Sequence, residues 1–499
     1  MSGMRRDHVR LMLAAGVFVM LLAGLSATKP TTDVAGRAVS TGKPNIVFVL
    51  TDDLSWNLVP YMPQVRELQR EGMTFNDFVV TDSLCCPSRA SILTGRFPHN
   101  TGVYTNGGKD GGFRYFHNHG EEADTFATSL QGKGYRTALM GKYLNEYQPT
   151  FKAGGTEPYV PMGWTEWDVA GGGYGGYHYK LNENRKVVEY GGAPEEFLTD
   201  VLADKGASFI KRSARAKKPF LLEVSTFTPH APYTAAVRHL DEFPDLGAPR
   251  GPQYNKLPTA APPWLANRKP LPPAELLAID HAFRKRVLAV QAVDDLIAKL
   301  RATLKAAGVA DDTYIVFASD NGYHMGEYRL GPGKMTAFDT DVRVPLVVAG
   351  PGVPGGRRSI AAVSNIDLAP TFEEAGGAPI PATVDGRSLL PLLRGGSDDS
   401  WRTANLVEHH GPVVRPDDPD RPEPGGGNPP DYAAIRTHTF TYVEYRDGSR
   451  EYYDLVHDRD QMHNLAGSLS AVRLRELHTQ LTHLTSCRSG ATCWSAGQL

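Results

Sequence analysis

Two adjacent cysteines lie in the stretch of this chain richest in chemistry: Ser83-Leu84-Cys85-Cys86-Pro87-Ser88-Arg89-Ala90-Ser91-Ile92-Leu93-Thr94-Gly95-Arg96. Pro87 suits the first turn of a helix and Gly95 its end. Cys85 is thereby set just before a helix N-terminus, where unpaired N–H groups favour anions and lower the pKa of a thiol. Arg89, about one turn on, can point back at the same anion. A plainer account also fits: two small buried hydrophobes that begin a short helix. Elsewhere, Thr51-Asp52-Asp53 and Asp320-Asn321-Gly322 each follow an apolar run. Brought together, Asp52, Asp53, Asp320 and Asn321 offer three carboxylates and an amide oxygen. Such a cluster repels itself unless a hard cation neutralises it, and oxygen ligation suits Ca²⁺ or Mg²⁺. Taken singly, Thr-Asp-Asp is also a common helix cap and Asp-Asn-Gly a common turn.

Elements must carry these residues to one place. Residues 45–50 (NIVFVL), 136–140, 220–227 and 313–319 read as buried strands. Each runs into a polar cluster: Thr51-Asp52-Asp53, Gly141-Lys142, Thr228-Pro229-His230 and Asp320-Asn321-Gly322. A fifth run, 344–349, ends at Gly350-Pro351-Gly352. Helical spacing recurs at 62–71, at 125–131 and, longest, at 274–307, where Gly308 is a natural C′ residue. Strands alternating with helices predict an α/β fold with a mostly parallel sheet covered on both faces. Ligands then bind beyond the carboxyl ends of the strands. One polar strand end only marks where a loop begins; four together, carrying acid, amide, Lys or His, point to a site.

Segments 171–176, 242–273 and 412–431 are poor in regular structure, and the last two are too long for ordinary connectors. They are either loops that shape a substrate or disordered insertions. Past about residue 400 the pattern shifts. Residues 432–445 and 450–455 alternate as antiparallel strands do, and 472–484 has helical spacing, which predicts a smaller C-terminal α+β subdomain. The expected division is a signal peptide at 1–27, a flexible lead-in at 28–43, a catalytic domain at 44–395, the subdomain at 396–486 and a tail at 487–499.

The bulk composition narrows the function classes. With 41% hydrophobic and 22% charged residues, the 499-residue chain is an ordinary globular protein, and a net charge of −2 leaves no electrostatic footprint for nucleic acid. Arg5, Arg6 and Arg10 precede an apolar run at 11–27, the pattern of a secretory signal; an uncleaved membrane anchor is the alternative. Either one puts the catalytic domain outside the cytoplasm. Cys487 and Cys493 enclose a short loop and are expected to pair in an oxidising compartment, whereas Cys85 and Cys86, being adjacent, are badly placed to pair with each other.

Cys85-x-Pro87-Ser88-Arg89, continued by Ala-Ser-Ile-Leu-Thr-Gly-Arg and Phe-Pro-His-Asn-Thr-Gly, resembles the signature of the formylglycine-dependent sulfatases. The resemblance runs from Pro44 to about Leu465, where Tyr453-Asp454-Leu455 and Asn464-Leu465 are similar to the family's closing motif. Lys142-Tyr143-Leu144-Asn145-Glu146-Tyr147 resembles the branch containing N-acetylglucosamine-6-sulfatases. The resemblance implies an alkaline-phosphatase-like fold and oxidation of Cys85 to formylglycine by a formylglycine-generating enzyme during maturation. The hydrated aldehyde would attack sulfur. Asp52, Asp53, Asp320, Asn321 and the modified Cys85 would hold a cation, usually Ca²⁺ in the family, with Mg²⁺ as the other choice.

The same resemblance assigns positive charge at the sulfate to Arg89, Lys142 and Lys334, and protonation of the leaving group to His230. Many sulfatases place a histidine two residues after the first active-site lysine; here that position is Leu144, and Asn145 is the substitute candidate. His324 is a candidate substrate contact. The implied substrate is a sulfate monoester, with a sulfated sugar such as 6-O-sulfo-N-acetylglucosamine favoured by the branch and Tyr174, Tyr177 and Tyr179 available to stack on it. A general arylsulfatase, or a phosphate or phosphonate monoester hydrolase on the same scaffold, is the nearest rival. The intact Cys85–Arg89 motif argues against a non-catalytic glycan-binding protein. From this register, Cys85→Ala abolishes sulfate-ester turnover and Cys86→Ser retains most of it. Equal loss of kcat/KM in both folded variants overturns the register.

Overall fold

Every residue of the strand Asn45–Thr51 is buried. Successive side chains of a strand feed opposite faces, and here both faces are covered. Ile46, Phe48 and Leu50 enter one apolar core, while Val47 and Val49 enter another. That double burial explains why the strand is continuously apolar rather than alternating. The computed structural model describes residues 42–412, 418, 420–422 and 425–498. The expected signal peptide and nearly all of the expected lead-in lie outside the described residues.

Four strands form the middle of a ten-stranded sheet, in the spatial order Thr313–Ser319, Asn45–Thr51, Phe220–Ser225 and Arg136–Lys142. All three pairings between them are parallel. Their carboxyl ends therefore lie side by side, and each differs from its predicted end by no more than two residues. The sheet is mixed towards its edges. Leu346–Ala349, shorter than the run read at 344–349, pairs antiparallel with Thr313–Ser319. On the other side Glu166–Ala170 pairs parallel with Arg136–Lys142, and the hairpin Lys180–Glu183/Lys186–Glu189 continues the sheet antiparallel.

Helices cover both faces. Leu198–Arg215 and the long Pro273–Ala306 contribute Leu202, Phe209, Val287 and Val293 to the core that contains Val47. Cys85–Thr94 and Leu368–Ala375 contribute Ile92, Leu93, Leu368 and Phe372 to the other. The helix Pro63–Glu71 starts without a side-chain cap of its own. Asp294 on the long helix supplies one, accepting from the backbone N–H groups of Gln64 at 2.8 Å and Val65 at 3.3 Å. Burial pushes the Asp294 carboxyl up to about 6 despite those bonds.

Beyond these layers a four-stranded antiparallel sheet is built from Ala404–His409, Tyr432–Thr437, Phe440–Tyr445 and Arg450–Asp454. The helix Ala471–Ser486 lays Leu477, Leu481 and Leu484 against Leu406, Ile435 and Tyr442 of that sheet. Cys487 and Cys493 form the expected disulfide, and both are buried in this cluster. Among the described residues no helix is long and apolar enough to cross a membrane.

Candidate active site

The four parallel strands deliver their terminal residues to one edge of the sheet. Asp52 and Asp53 follow Asn45–Thr51, Asp320 and Asn321 follow Thr313–Ser319, Lys142 ends its own strand, and His230 sits on the loop after Phe220–Ser225. The backbone is specialised at two of these places. Asp53 adopts φ 67°, a left-handed conformation that aspartate tolerates better than most residues. Gly141 has φ 104°, and a Cβ there would lie 2.0 Å from the Ser225 carbonyl oxygen of the neighbouring strand. Only glycine lets those two strand ends close up where Arg89 bonds to both, through the Lys142 carbonyl at 3.2 Å and the Ser225 hydroxyl at 2.7 Å.

Helix Cys85–Thr94 is buried at all ten positions and ends at Gly95 with φ 70°, as its sequence predicts. Cys85 is its first residue. The Cys85 thiol lies 3.1 Å from Asp52 Oδ1 and 3.5 Å from Asn321 Oδ1, and Lys334 Nζ donates to its sulfur at 3.0 Å. Around it the charges alternate. Arg89 Nε donates to Asp320 Oδ2 at 2.7 Å, Lys142 Nζ to Asp52 Oδ2 at 2.6 Å, and Lys334 Nζ to Asp53 Oδ1 at 2.6 Å. The expectation of a low thiol pKa is overturned. Burial, joined by the charges of Asp320, Asp420 and Asp52, pushes the Cys85 thiol well above its ordinary value.

The carboxylates are thus not left uncompensated, so charge alone does not demand a cation. The donor set nonetheless fits one. One ligand atom each from Asp52, Asp53, Cys85 and Asp320 lies within 4.8 Å of the others, and all four residues are buried. Asp53 Oδ2 is buried without a hydrogen-bond partner among the described residues, an orphan that a hard cation would satisfy. Asn321 Nδ2 donates to Asp53 Oδ1 at 2.6 Å and leaves its amide oxygen facing Cys85.

His230 brings in a residue that sequence reasoning missed. Its Nδ1 faces the Ala231 carbonyl at 2.8 Å and its Nε2 faces Asp420 Oδ1 at 2.7 Å. A carbonyl and a carboxylate at these positions both accept from the ring, an arrangement that favours its doubly protonated form. Burial works against that charge, but Asp53, Asp52 and Asp420 overcome it and raise the His230 pKa. Asp420 Oδ1 also receives Lys334 Nζ at 2.6 Å, and its Oδ2 receives Asn106 Nδ2 at 2.6 Å. Burial would raise the Asp420 carboxyl, yet Lys334 and His230 hold it well below the usual range. Asp420 comes from segment 412–431, whose Pro- and Gly-rich composition reads only as loop; no periodicity marks it. Ser225, the Arg89 partner, was missed as well, because the run read at 220–227 extends past it and the strand stops at Ser225.

Other candidates land elsewhere. His324 does not face a substrate: it is fully buried, with Nδ1 against Asp341 at 2.9 Å and Nε2 against the Gly426 carbonyl at 2.7 Å. Both nitrogens are spent inside the fold. Asn145 is buried with its side-chain amide unpartnered among the described residues, but its backbone lies against the Cys86 thiol rather than Cys85. Leu144 packs in the apolar core. Of the three tyrosines offered for stacking, only Tyr174 reaches the site, its ring 4.6 Å from His230 and 5.1 Å from Lys142 Nζ. Tyr179 stacks on Tyr190 and donates to the Glu196 carbonyl, and Tyr177 packs on Phe197.

Comparisons with known proteins bear on the family and the fold. Residues 44–378 match the sulfatase family, and 326–486 match the C-terminal region of N-sulphoglucosamine sulphohydrolase. The chain is 36% identical over 491 residues to human (Homo sapiens) N-acetylglucosamine-6-sulfatase, covering 93% of this chain and 88% of the human one. A protein solved with its substrate D-glucosamine-2-N,6-O-disulfate superposes with a TM-score of 0.75 at 23% identity, covering 88% of this chain and 97% of the other. A phosphonate monoester hydrolase from Silicibacter pomeroyi superposes at 0.67 with 22% identity, covering 88% and 95%. At such identities the two superpositions speak for the fold alone.

Two outcomes follow from this geometry. Asp52→Asn or Asp320→Asn lowers divalent-cation content, read by elemental analysis, together with activity; full retention of metal removes that residue from the ligand set. Asp420→Asn removes the carboxylate that His230 and Lys334 share, leaving both cations to Asp53 alone, and lowers stability by about 1–3 kcal/mol. Inorganic sulfate, able to replace the lost negative charge beside His230 and Lys334, restores more thermal stability to this variant than to the unsubstituted protein. Equal response of the two proteins to sulfate refutes the assignment.

Proposed function

The chain belongs to the sulfatase family, and on that footing we propose that it hydrolyses sulfate esters of sugars, 6-O-sulfated N-acetylglucosamine among them. In this reading Cys85 acts in its formylglycine form, and Asp52, Asp53, Asp320 and Asn321 hold a Ca²⁺ ion. The observation that carries it is the position of Cys85, first in its helix, with its sulfur within 3.5 Å of Asp52, Asn321 and Lys334. The hydrated formylglycine supplies a nucleophilic oxygen and the cation supplies Lewis acidity towards the ester.

The chain's own side chains do the rest. Arg89, Lys142 and Lys334 are buried cations whose positions are set by Asp320, Asp52 and Asp53, so they offer fixed positive charge to the sulfate oxygens. His230 carries a proton on Nε2 that it can give to the departing sugar oxygen. For that oxygen to approach, Asp420 must yield its place on Nε2. Tyr174, flanking His230 and Lys142, offers a ring face to the sugar. The apolar N-terminal run behind Arg5, Arg6 and Arg10 and the Cys487–Cys493 disulfide support action outside the cytoplasm.

A phosphonate or phosphate monoester hydrolase is the rival with an observation behind it, the fold shared with the Silicibacter enzyme. Family membership and the 36% identity over nearly the whole chain favour the sulfate ester. We expect kcat/KM on 6-O-sulfo-N-acetylglucosamine to exceed that on a nitrophenyl sulfate, with nitrophenyl phosphate slower than either. A sugar hydroxyl is a poorer leaving group than a phenol, so that ranking requires sugar-specific contacts in the transition state. If the aryl ester is faster and no 6-sulfated hexosamine is cleaved, the sugar assignment fails while the sulfatase assignment stands.

A further inference from the structure

Away from Cys85, a cavity of about 370 Å³ opens between the edge strand Arg357–Ser359 and the C-terminal sheet. Its lining includes four guanidinium groups, Arg343, Arg358, Arg436 and Arg459, against two carboxylates, Asp77 and Asp339. Both carboxylates are already taken. Arg436 donates to Asp339 at 2.8 Å and to Asp77 at 3.2 Å, and Arg343 donates to Asp339 at 3.0 Å. The remaining two guanidinium groups are exposed. Arg358 reaches only the Asn76 amide oxygen, at 3.5 Å, and Arg459 has no partner among the described residues. The cavity is therefore net positive, with two arginines left over from internal pairing.

Its other walls suit a ring rather than a bare ion. Trp56 and Ile360 line it, Ile360 being 47% exposed, and the Trp56 indole N–H is a buried donor without an acceptor among the described residues. A smaller cavity of about 200 Å³ shares Trp56, Asp339, Arg343 and Arg459 and extends to Ser55 and Tyr323; Glu327 and Asp460 join its lining, so the surplus positive charge belongs to the outer cavity. Those two residues lie two positions beyond Asp53 and Asn321. Trp56 is three residues from Asp53, so their Cα atoms are at most about 11 Å apart. The groove thus starts beside the catalytic edge and runs outward.

We propose that this groove is a second, non-catalytic binding site for an acidic oligosaccharide, with Arg358 and Arg459 taking its sulfate or carboxylate groups and Trp56 and Ile360 lying against its rings. Guanidinium groups bind such oxyanions through paired N–H bonds, and two unpaired ones on a single groove favour a ligand carrying several anions over a single ion. The anion site stands on its own geometry; the choice of a saccharide as ligand rests on the function proposed above. Such a site would tether a polymeric or oligomeric substrate and leave the chemistry on a monosaccharide untouched.

The test uses the full chain carrying Cys85→Ala, so that nothing is turned over, with and without Arg358→Glu and Arg459→Glu. The probe is a heparin-derived hexasaccharide, and binding is read by calorimetry at two salt concentrations. The double charge reversal is expected to weaken binding by at least about tenfold, on the order of what two exposed charge pairs supply, and to flatten its salt dependence. In otherwise active protein, the same two substitutions leave kcat/KM on monosaccharide 6-O-sulfo-N-acetylglucosamine unchanged. Unaltered hexasaccharide affinity overturns the proposal. So does a parallel loss of monosaccharide turnover, which would put the two arginines in the catalytic pocket. Charge-dependent binding without any turnover of the monosaccharide supports the groove and counts against the sugar substrate alone.

Discussion

Charges are tolerated inside a protein only when each has a partner, and the catalytic edge of this sheet carries more buried charge than anywhere else described. Arg89 is paired with Asp320, Lys142 with Asp52, and Lys334 with Asp53, at 2.6–2.7 Å. Each pair joins segments far apart in sequence. Removing one partner strands the other in a medium that cannot solvate it, at a cost of about 3–5 kcal/mol. Slipping one strand by a single residue would turn its side chains to the opposite face and break the set. The pairing therefore constrains the alignment of the strand ends, and the apolar faces above and below keep water from relaxing that constraint.

The helix that begins at Cys85 shows how neighbouring residues of one type come to differ. Successive helical residues are about 100° apart around the axis. Cys85 faces Asp52, Asn321 and Lys334, while Cys86 joins the apolar core beside Ala90 and Leu93. The register of Cys85 to the acids is held by Ser88, whose hydroxyl donates to the Asp320 carbonyl at 2.5 Å, and by Asn365, which donates to Ser88 Oγ at 3.0 Å. As a plain thiol Cys85 is a poor nucleophile here, since burial and three carboxylates keep its proton on. An environment that suppresses the thiolate is compatible with the formylglycine form proposed for Cys85.

Two clusters of cations in this protein differ in how they are held. At the edge that carries Cys85 the cations are buried and already committed, so in the proposed reaction a sulfate ester would have to replace existing interactions, above all the hold of Asp420 on His230 and Lys334. In the outer groove Arg358 and Arg459 are exposed and uncommitted, which makes any hold they exert weaker and sensitive to salt. The first arrangement discriminates by geometry, the second by charge density.

Local pattern was enough for the sheet and for much of the site. The apolar runs that end in Asp52-Asp53, Lys142, His230 and Asp320-Asn321 could be seen in order, because a strand buried on both faces must be apolar throughout and must stop where polar chemistry begins. The Cys85–Arg89 spacing identified the helix and the family, since Pro87 and Gly95 mark its ends by backbone preference alone. The edges were harder. Leu346–Ala349 runs antiparallel to its neighbour because of how the chain returns to the sheet, and nothing in its six-residue reading carried direction. His324 shares a polar strand-end context with Asn321 yet turns inward to Asp341, a partner 17 residues away that only folding brings near. Asp420 was the least legible: a carboxylate in a Pro- and Gly-rich loop, 190 residues from His230, acquires its place from long-range charge pairing, and that is a property of the tertiary structure with no counterpart in local sequence.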